Sequence, residues 1–193
     1  MKKHYLAMAV AAATLTLGTG QAAASDFYAN GQLAIANAKN LDNGMALAMT
    51  FGMKQDNLLE NLAFEAELTT SIDNPSKSYS YSYMGGTETY KVEVSYFSLG
   101  AYGVYSFPLN DMISLRGRAG LLYLDAEAKS SWSATYGGQT YSESAKASDS
   151  EINLSLGFGA VFNITDQLGV VTEFTMIDGS DLTHLGAGVQ FRF

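Results

Sequence analysis

Glu151-Ile152-Asn153-Leu154-Ser155-Leu156-Gly157-Phe158-Gly159-Ala160-Val161-Phe162-Asn163 decides the fold. Ile152, Leu154, Leu156, Phe158, Ala160 and Phe162 fall on one face. Glu151, Asn153, Ser155, Gly157 and Gly159 fall on the other. A period of two is the signature of a strand whose faces meet different surroundings.

The same alternation recurs along the chain. Residues 27–36 put Phe27, Ala29, Leu33 and Ile35 opposite Tyr28, Asn30 and Gln32. Residues 45–53 put Met45, Leu47, Met49, Phe51 and Met53 opposite small residues. Phe64, Ala66 and Leu68 oppose Glu65, Glu67 and Thr69. Leu115, Gly117, Ala119, Leu121 and Tyr123 oppose Arg116, Arg118 and Gly120. Leu168, Val170, Phe174 and Met176 oppose Gly169, Glu173 and Thr175. Leu185, Ala187, Val189, Phe191 and Phe193 oppose His184, Gly186, Gly188, Gln190 and Arg192. Residues 89–105 form one more strand with conflicting parities. Val92, Val94 and Tyr96 share one, and Phe97, Leu99, Ala101 and Tyr105 the other, which predicts a bulge near Ser95–Tyr96. The expectation is eight strands.

Connectors at 54–60, 107–112 and 163–167 are tight, with Asn, Asp and Pro where turns need them. Those at 71–88 and 129–148 are long and rich in Ser, Tyr, Gly and Thr, and read as polar loops. Connectors at 37–44 and 178–181 lie at that same end and are shorter.

The chain opens with Lys2 and Lys3, an apolar run over 5–17, and Ala22-Ala23-Ala24. This is the pattern of a secretory leader cut after a small residue. It predicts a leader over 1–24 and a mature chain over 25–193. The apolar run is shorter than the roughly 18 residues a spanning helix needs. Lys2 and Lys3 leave with the leader, so 11 basic residues become 9 against 19 acidic, a net of −10. Such an acidic chain, with no basic stripe, is not a nucleic-acid binder. With no Cys, disulfides and thiolate chemistry are excluded.

Four features settle which face looks out. The polar face is thick with Gly, Ser, Asn and Thr, and its few charges are mixed, which suits a cramped barrel interior. The apolar face is continuous from strand to strand, as lipid accepts. Phe27, Tyr96, Tyr105, Phe107, Tyr123, Phe162, Phe174 and Phe193 sit near strand ends, where aromatic girdles belong. The leader delivers the chain to the compartment where such barrels assemble. The predicted fold is all-β: an eight-stranded antiparallel up-and-down transmembrane β-barrel.

Gln55-Asp56-Asn57-Leu58, the Gly- and Arg-bearing strand 115–124, the run 156–163 and the Phe193 ending together resemble the small OmpA-like, or porin-family, outer-membrane β-barrel domain. The resemblance spans nearly all of 26–193. It implies residence in the outer membrane of a Gram-negative cell, among lipid and lipopolysaccharide. It also implies a terminal Phe193 read by the outer-membrane assembly machinery, and a monomer. OmpA carries a peptidoglycan-binding domain after its barrel. This chain ends at the barrel, so tethering to the cell wall is not implied.

Four sets of residues are weighed as candidates for function. Glu65, Glu67, Arg116, Arg118, Glu151, Glu173 and Arg192 would line the interior as a charge network. An eight-stranded interior is about wide enough for side chains to fill, so the set reads as a plug rather than an ion path. Tyr79, Tyr81, Tyr83, Trp132, Tyr136 and Tyr141 lie in the long connectors and would form a contact surface for a host or surface ligand, since Tyr and Ser make adaptable contacts. His184, near Ser180 and Asp181, is the one His after the leader, and no triad spacing surrounds it. Asp73, Asp149, Asp178 and Asp181 match no calcium-loop spacing. The expectation is a structural or surface-interaction protein without cofactor, metal or enzymatic activity. A narrow passive channel is the alternative, and a lipid-modifying enzyme stands behind it.

Overall fold

Alternating apolar and polar residues build nine strands among the described residues, and eight of them close a ring. The computed structural model describes residues 27–193. The expected leader and its cleavage point lie outside the described residues. The strands are β1 (Phe27–Ala38), β2 (Gly44–Lys54), β3 (Leu62–Asp73), β4 (Ser76–Tyr83), β5 (Gly86–Pro108), β6 (Ile113–Tyr136), β7 (Gln139–Asn163), β8 (Leu168–Ile177) and β9 (Leu182–Arg192).

Each strand pairs antiparallel with its neighbours. The ring closes where β1 meets β9, from Tyr28↔Arg192 to Ala38↔Leu182. On the far side of the ring β3 pairs with β5, from Leu62↔Tyr105 to Thr70↔Phe97. The ring order is therefore β1-β2-β3-β5-β6-β7-β8-β9, and β4 is an added strand on the upper half of β5. Closure leaves no sheet edge within the ring, which is what a barrel in lipid requires.

Most apolar side chains of the ring point outward and most polar ones inward. Leu33, Leu154 and Leu185 are more than half exposed, whereas Gln32, Asn153 and His184 are buried. At the tight-turn end Phe27, Phe51, Phe191 and Phe193 form a chain of ring contacts, with centroids 5.8, 6.2 and 6.4 Å apart. One residue expected in the girdles is not there. Tyr96 is buried in the lumen at 5% exposure, because it shares the inward parity of Ser98 and Tyr102.

Two further expectations need correction. The stretches 71–88 and 129–148 are paired strand rather than loop. The β6–β7 ladder runs unbroken from Ile113↔Phe162 to Tyr136↔Gln139. The β4–β5 ladder runs from Ser76↔Glu93 to Tyr83↔Gly86. Alternating Ser, Thr and Tyr have ample strand propensity. The hairpin turn falls on Gly137 and Gly138, whose φ of +58° and +81° suit a two-residue connection.

The bulge, moreover, is not in β5. The β5–β6 register passes through Ser95↔Glu127 and Tyr96↔Ala126 without a slip. The extra residue is Ile72 in β3, since Met45 pairs with Asp73 while Ala46 pairs with Ser71. Beyond it Pro75, which has no N–H to give, ends the strand, and its carbonyl accepts from the Val94 amide at 2.9 Å. The parity conflict disappears because Val92 and Val94 lie above the lipid-facing zone and share the lumen side with Tyr96.

Candidate functional site: a layered lumen and a raised aromatic sheet

The lumen holds an ionic layer built from three strands that do not touch one another. β3 supplies Glu65 and Glu67, β6 supplies Arg116 and Arg118, and β8 supplies Glu173, all nearly inaccessible. Arg116 Nη2 lies 2.7 Å from both Glu65 oxygens. Arg118 Nη1 donates to Glu67 Oε2 at 2.5 Å and Nη2 donates to Thr175 Oγ1 at 2.9 Å. Glu173 spans both cations, 3.1 Å from Arg116 Nε and 2.8 Å from Arg118 Nε. These two Nε contacts are close but misaligned for hydrogen bonding, so charge holds Glu173 more than direction does.

Neutral donors complete the layer. The Tyr28 hydroxyl donates to Glu65 Oε1 at 2.6 Å, and Thr50 and Thr69 donate to Glu67 at 3.2 and 3.3 Å. The Arg118 guanidinium lies 4.2 Å from the centre of the Tyr102 ring. Glycines make the room. A Cβ at Gly52 would collide with the Tyr28 ring, and one at Gly120 with Tyr102. Large interior rings beside missing side chains let eight strands enclose two arginines and two tyrosines.

Two members of the predicted network stand apart. Glu151 shares the inward parity but is exposed, four residues above Ser155 along β7. Arg192 lies at the tight-turn end, where Nη2 donates to Asn163 Oδ1. It borders a cavity of about 180 Å³ that also touches Tyr28, Lys54, Asp56 and Gln190. Neither touches the five-residue core.

A second layer, missed in the sequence reading, lies above the ionic one. Ala34, Ala36, Ala46, Tyr96, Leu122, Ile177 and Leu182 pack together inside the lumen. Leu122 is four residues beyond Arg118 on the same face of β6, about 13 Å along the strand. Tyr96 and His184 join the two layers: hydroxyl and Nε2 are 2.7 Å apart, and the rings stack at 5.6 Å. The signal is present in the parity, since Leu122 and Leu124 continue the series of Arg116 and Arg118. Of the other candidates, Asp181 pairs with Lys39 at 2.8 Å, and Asp149 accepts from the Ser150 amide at 2.9 Å.

Above the ring, β4 and the upper parts of β5, β6 and β7 form a four-stranded sheet. Its register sorts the side chains. Tyr79 lies opposite Tyr90, Tyr90 opposite Trp132, and Trp132 opposite Glu143. The next rows bring Tyr81, Glu88, Ala134 and Tyr141 together, then Tyr83, Gly86, Tyr136 and Gln139. The rings of Tyr83 and Tyr136 lean over Gly86 from either side, each 3.3 Å from where its Cβ would be. All six predicted contact residues therefore share one face, joined by Tyr90. By parity this face continues the lumen side of the barrel wall.

The opposite face carries Ser, Thr and three lysines. Lys91 pairs with Glu93 at 2.7 Å and Lys146 with Glu127 at 2.6 Å. Hydrogen bonds from Lys91 and Asn74 hold the Glu93 carboxyl below the ordinary carboxylate range. At the neighbouring connectors the bonds to Asp181 and Asp42 push the Lys39 and Lys77 ammonium groups up.

The barrel is that of known outer-membrane proteins. A family model described as the outer membrane protein beta-barrel domain matches residues 6–193. Neisserial surface protein A has 17% identity and a TM-score of 0.56, over 86% of this chain and 97% of that one. The N-terminal barrel domain of Pseudomonas aeruginosa OprF has 10% identity and a TM-score of 0.55, over 88% and 98%. A major outer membrane protein of Thermus thermophilus has 13% identity and a TM-score of 0.52, over 88% and 100%. No curated protein matches the sequence. These structural likenesses share the fold, and the family match spans nearly the whole chain. With its closed ring, lipid-ready outer face and polar lumen, the chain belongs to the outer membrane protein beta-barrel domain family and resides in the outer membrane.

Proposed function

We propose that this protein is a sealed anchor that holds a sheet of aromatic side chains above the outer membrane for contact with other molecules. The observation that carries the reading is the paired extension. β6 and β7 have 24 and 25 residues, whereas a spanning strand needs about 9–11. In bacterial barrels the short turns face the periplasm and the long connections face outward. That orientation lifts Trp132 and its neighbouring tyrosines into the exterior. An extension stiffened by cross-strand pairing presents its contacts with little ordering left to do.

The two lumen layers support the anchor half of the reading. A wall of eight strands encloses little more than its own side chains, and here they are joined to one another. The His184 ring is engaged by Tyr96, and Asp181 by Lys39. Neither side chain is left free to join Ser180 in a Ser-His-Asp set, which favours a non-enzymatic role. Phe193, one residue past β9 and in ring contact with Phe51 and Phe191, is in keeping with a segment read by the assembly machinery. A single ring with no free edge needs no second copy, in keeping with a monomer in lipid and lipopolysaccharide.

Planar-bilayer recording on the purified protein tests the reading. The expected record shows no steady conductance. A stable ohmic conductance would replace the sealed anchor with a narrow passive channel.

A further inference from the structure

The aromatic face of the extension carries charge of one sign only where charge is free. Glu143 stands directly opposite Trp132, exposed, with no hydrogen bond or ion pair among the described residues. Glu88 lies between Tyr81 and Ala134, one row from Tyr83 on β4. Lys77, the cation at the edge of this face, is committed to Asp42 at 2.9 Å. The lysines of the opposite face point away. Tyr79, Tyr90 and Trp132 lie side by side across three strands with no ring–ring contact among them, and Trp132 is half-buried. Tyr79 and Tyr90 are about half exposed.

Aromatic faces beside an unpaired carboxylate are the chemistry that holds ammonium and guanidinium groups. The ring quadrupole attracts the cation and the carboxylate pairs with it. The whole chain carries a net charge of −8, which favours the approach of a basic partner and opposes polyanions. Glu88 and Glu143 are on strands two apart and one row apart, about 12 Å by ordinary sheet spacing. One small cation cannot span that gap, whereas two basic side chains of one extended polypeptide can. We propose that this face docks an arginine- or lysine-rich polypeptide segment, its cationic groups lying on Tyr79, Tyr90 and Trp132 and pairing with Glu143 and Glu88. The proposal rests on the surface-contact reading and names the partner's chemistry.

Trp132 is the chain's one tryptophan, so intrinsic fluorescence reports from the middle of the proposed site. The full chain, in zwitterionic phosphatidylcholine nanodiscs, is titrated with an octa-arginine peptide. A saturable change in Trp132 emission is expected. The pair Glu88→Gln and Glu143→Gln should weaken it roughly tenfold. The pair Glu93→Gln and Glu127→Gln removes the same charge from the opposite face and should leave it intact. Persistence of the gel-mobility difference between unboiled and boiled samples shows that each variant is folded. Absence of any emission change overturns the proposal, and so does equal weakening by both pairs, which would mean general attraction to an acidic protein. A response to maltoheptaose without one to octa-arginine overturns it in favour of a neutral glycan. Each of these failures leaves the sealed anchor standing, whereas steady conductance removes the anchor and not the docking face.

Discussion

Strands β5, β6 and β7 belong to two regions at once. In their lower halves every strand has a neighbour on both sides, the outer face meets lipid and the inner face is filled by joined side chains. In their upper halves the same strands, joined by β4, form a four-stranded sheet with two free edges and water on both faces. The hydrogen-bond ladders are continuous across the boundary. Only the surroundings and the side chains change. Below, alternation separates apolar from polar; above, it separates aromatic from hydroxyl-bearing. The lower half closes the wall, and in the proposed function the upper half is the surface for contact.

Substitutions in the two halves should differ accordingly. The largest effect is expected for Arg118→Ala. It strips the close cation from Glu67 and one of two from Glu173 while both stay buried, and losing one partner of a buried pair costs about 3–5 kcal/mol. Urea titration of the gel-mobility difference should show the folded band lost at much lower denaturant. An unchanged midpoint would mean that the ionic layer is not holding the wall together.

Next comes Leu156→Arg on the lipid-facing side, in the row with Ala119 and Met176. A charge near the bilayer midplane costs roughly 2–4 kcal/mol in such barrels. Ser142→Arg, also on β7 but in the extension, should stay within about 0.5 kcal/mol. Equal costs at the two positions would erase the boundary between the regions.

Smaller again are Tyr81→Ala and Tyr141→Ala. Each removes an exposed ring and should shift the barrel's urea midpoint by no more than about 0.5 kcal/mol in free energy. A large shift would make the extension part of the barrel's stability after all.

The smallest effect is a pH dependence at the base of the extension. Glu93 has its carboxyl lowered from 4.5 by bonds from Lys91 and Asn74. A lowered folded value means the stabilisation is present above pH 4.5 and fades as pH falls through the lower value. Amide exchange around the Ser76↔Glu93 pair should quicken in that acidic window while amides of β1 and β9 keep their protection. Uniform exchange behaviour would argue that Glu93 ties nothing down.

Much of this division is legible in the sequence. Period two finds the eight ring strands, and the mixed charges on the polar face put it inside. Glu65, Glu67, Arg116, Arg118 and Glu173 follow from strand parity alone. Glu151 and Arg192 have the same parity but different heights along their strands, and parity carries no height. The apolar layer escapes a reading by hydrophobicity because Leu122, Ile177 and Leu182 look like lipid-facing residues unless the parity of Arg116 and Arg118 is carried forward. The extension reads as loop because Ser-rich strands lack the apolar stripe that marks a buried face. The bulge falls one strand away from its expected place because a change of surroundings along β5 mimics a change of register.

The central claim is that the ring is complete without the sheet it carries. The most direct test replaces residues 76–93 and 129–146 by short Asn-Gly turns and compares the gel mobility of unboiled and boiled protein. The trimmed chain should still insert into lipid and keep the mobility difference, with a urea midpoint close to that of the full chain. Loss of the difference, with a chain that no longer folds in lipid, would contradict the claim and make barrel and extension a single cooperative unit.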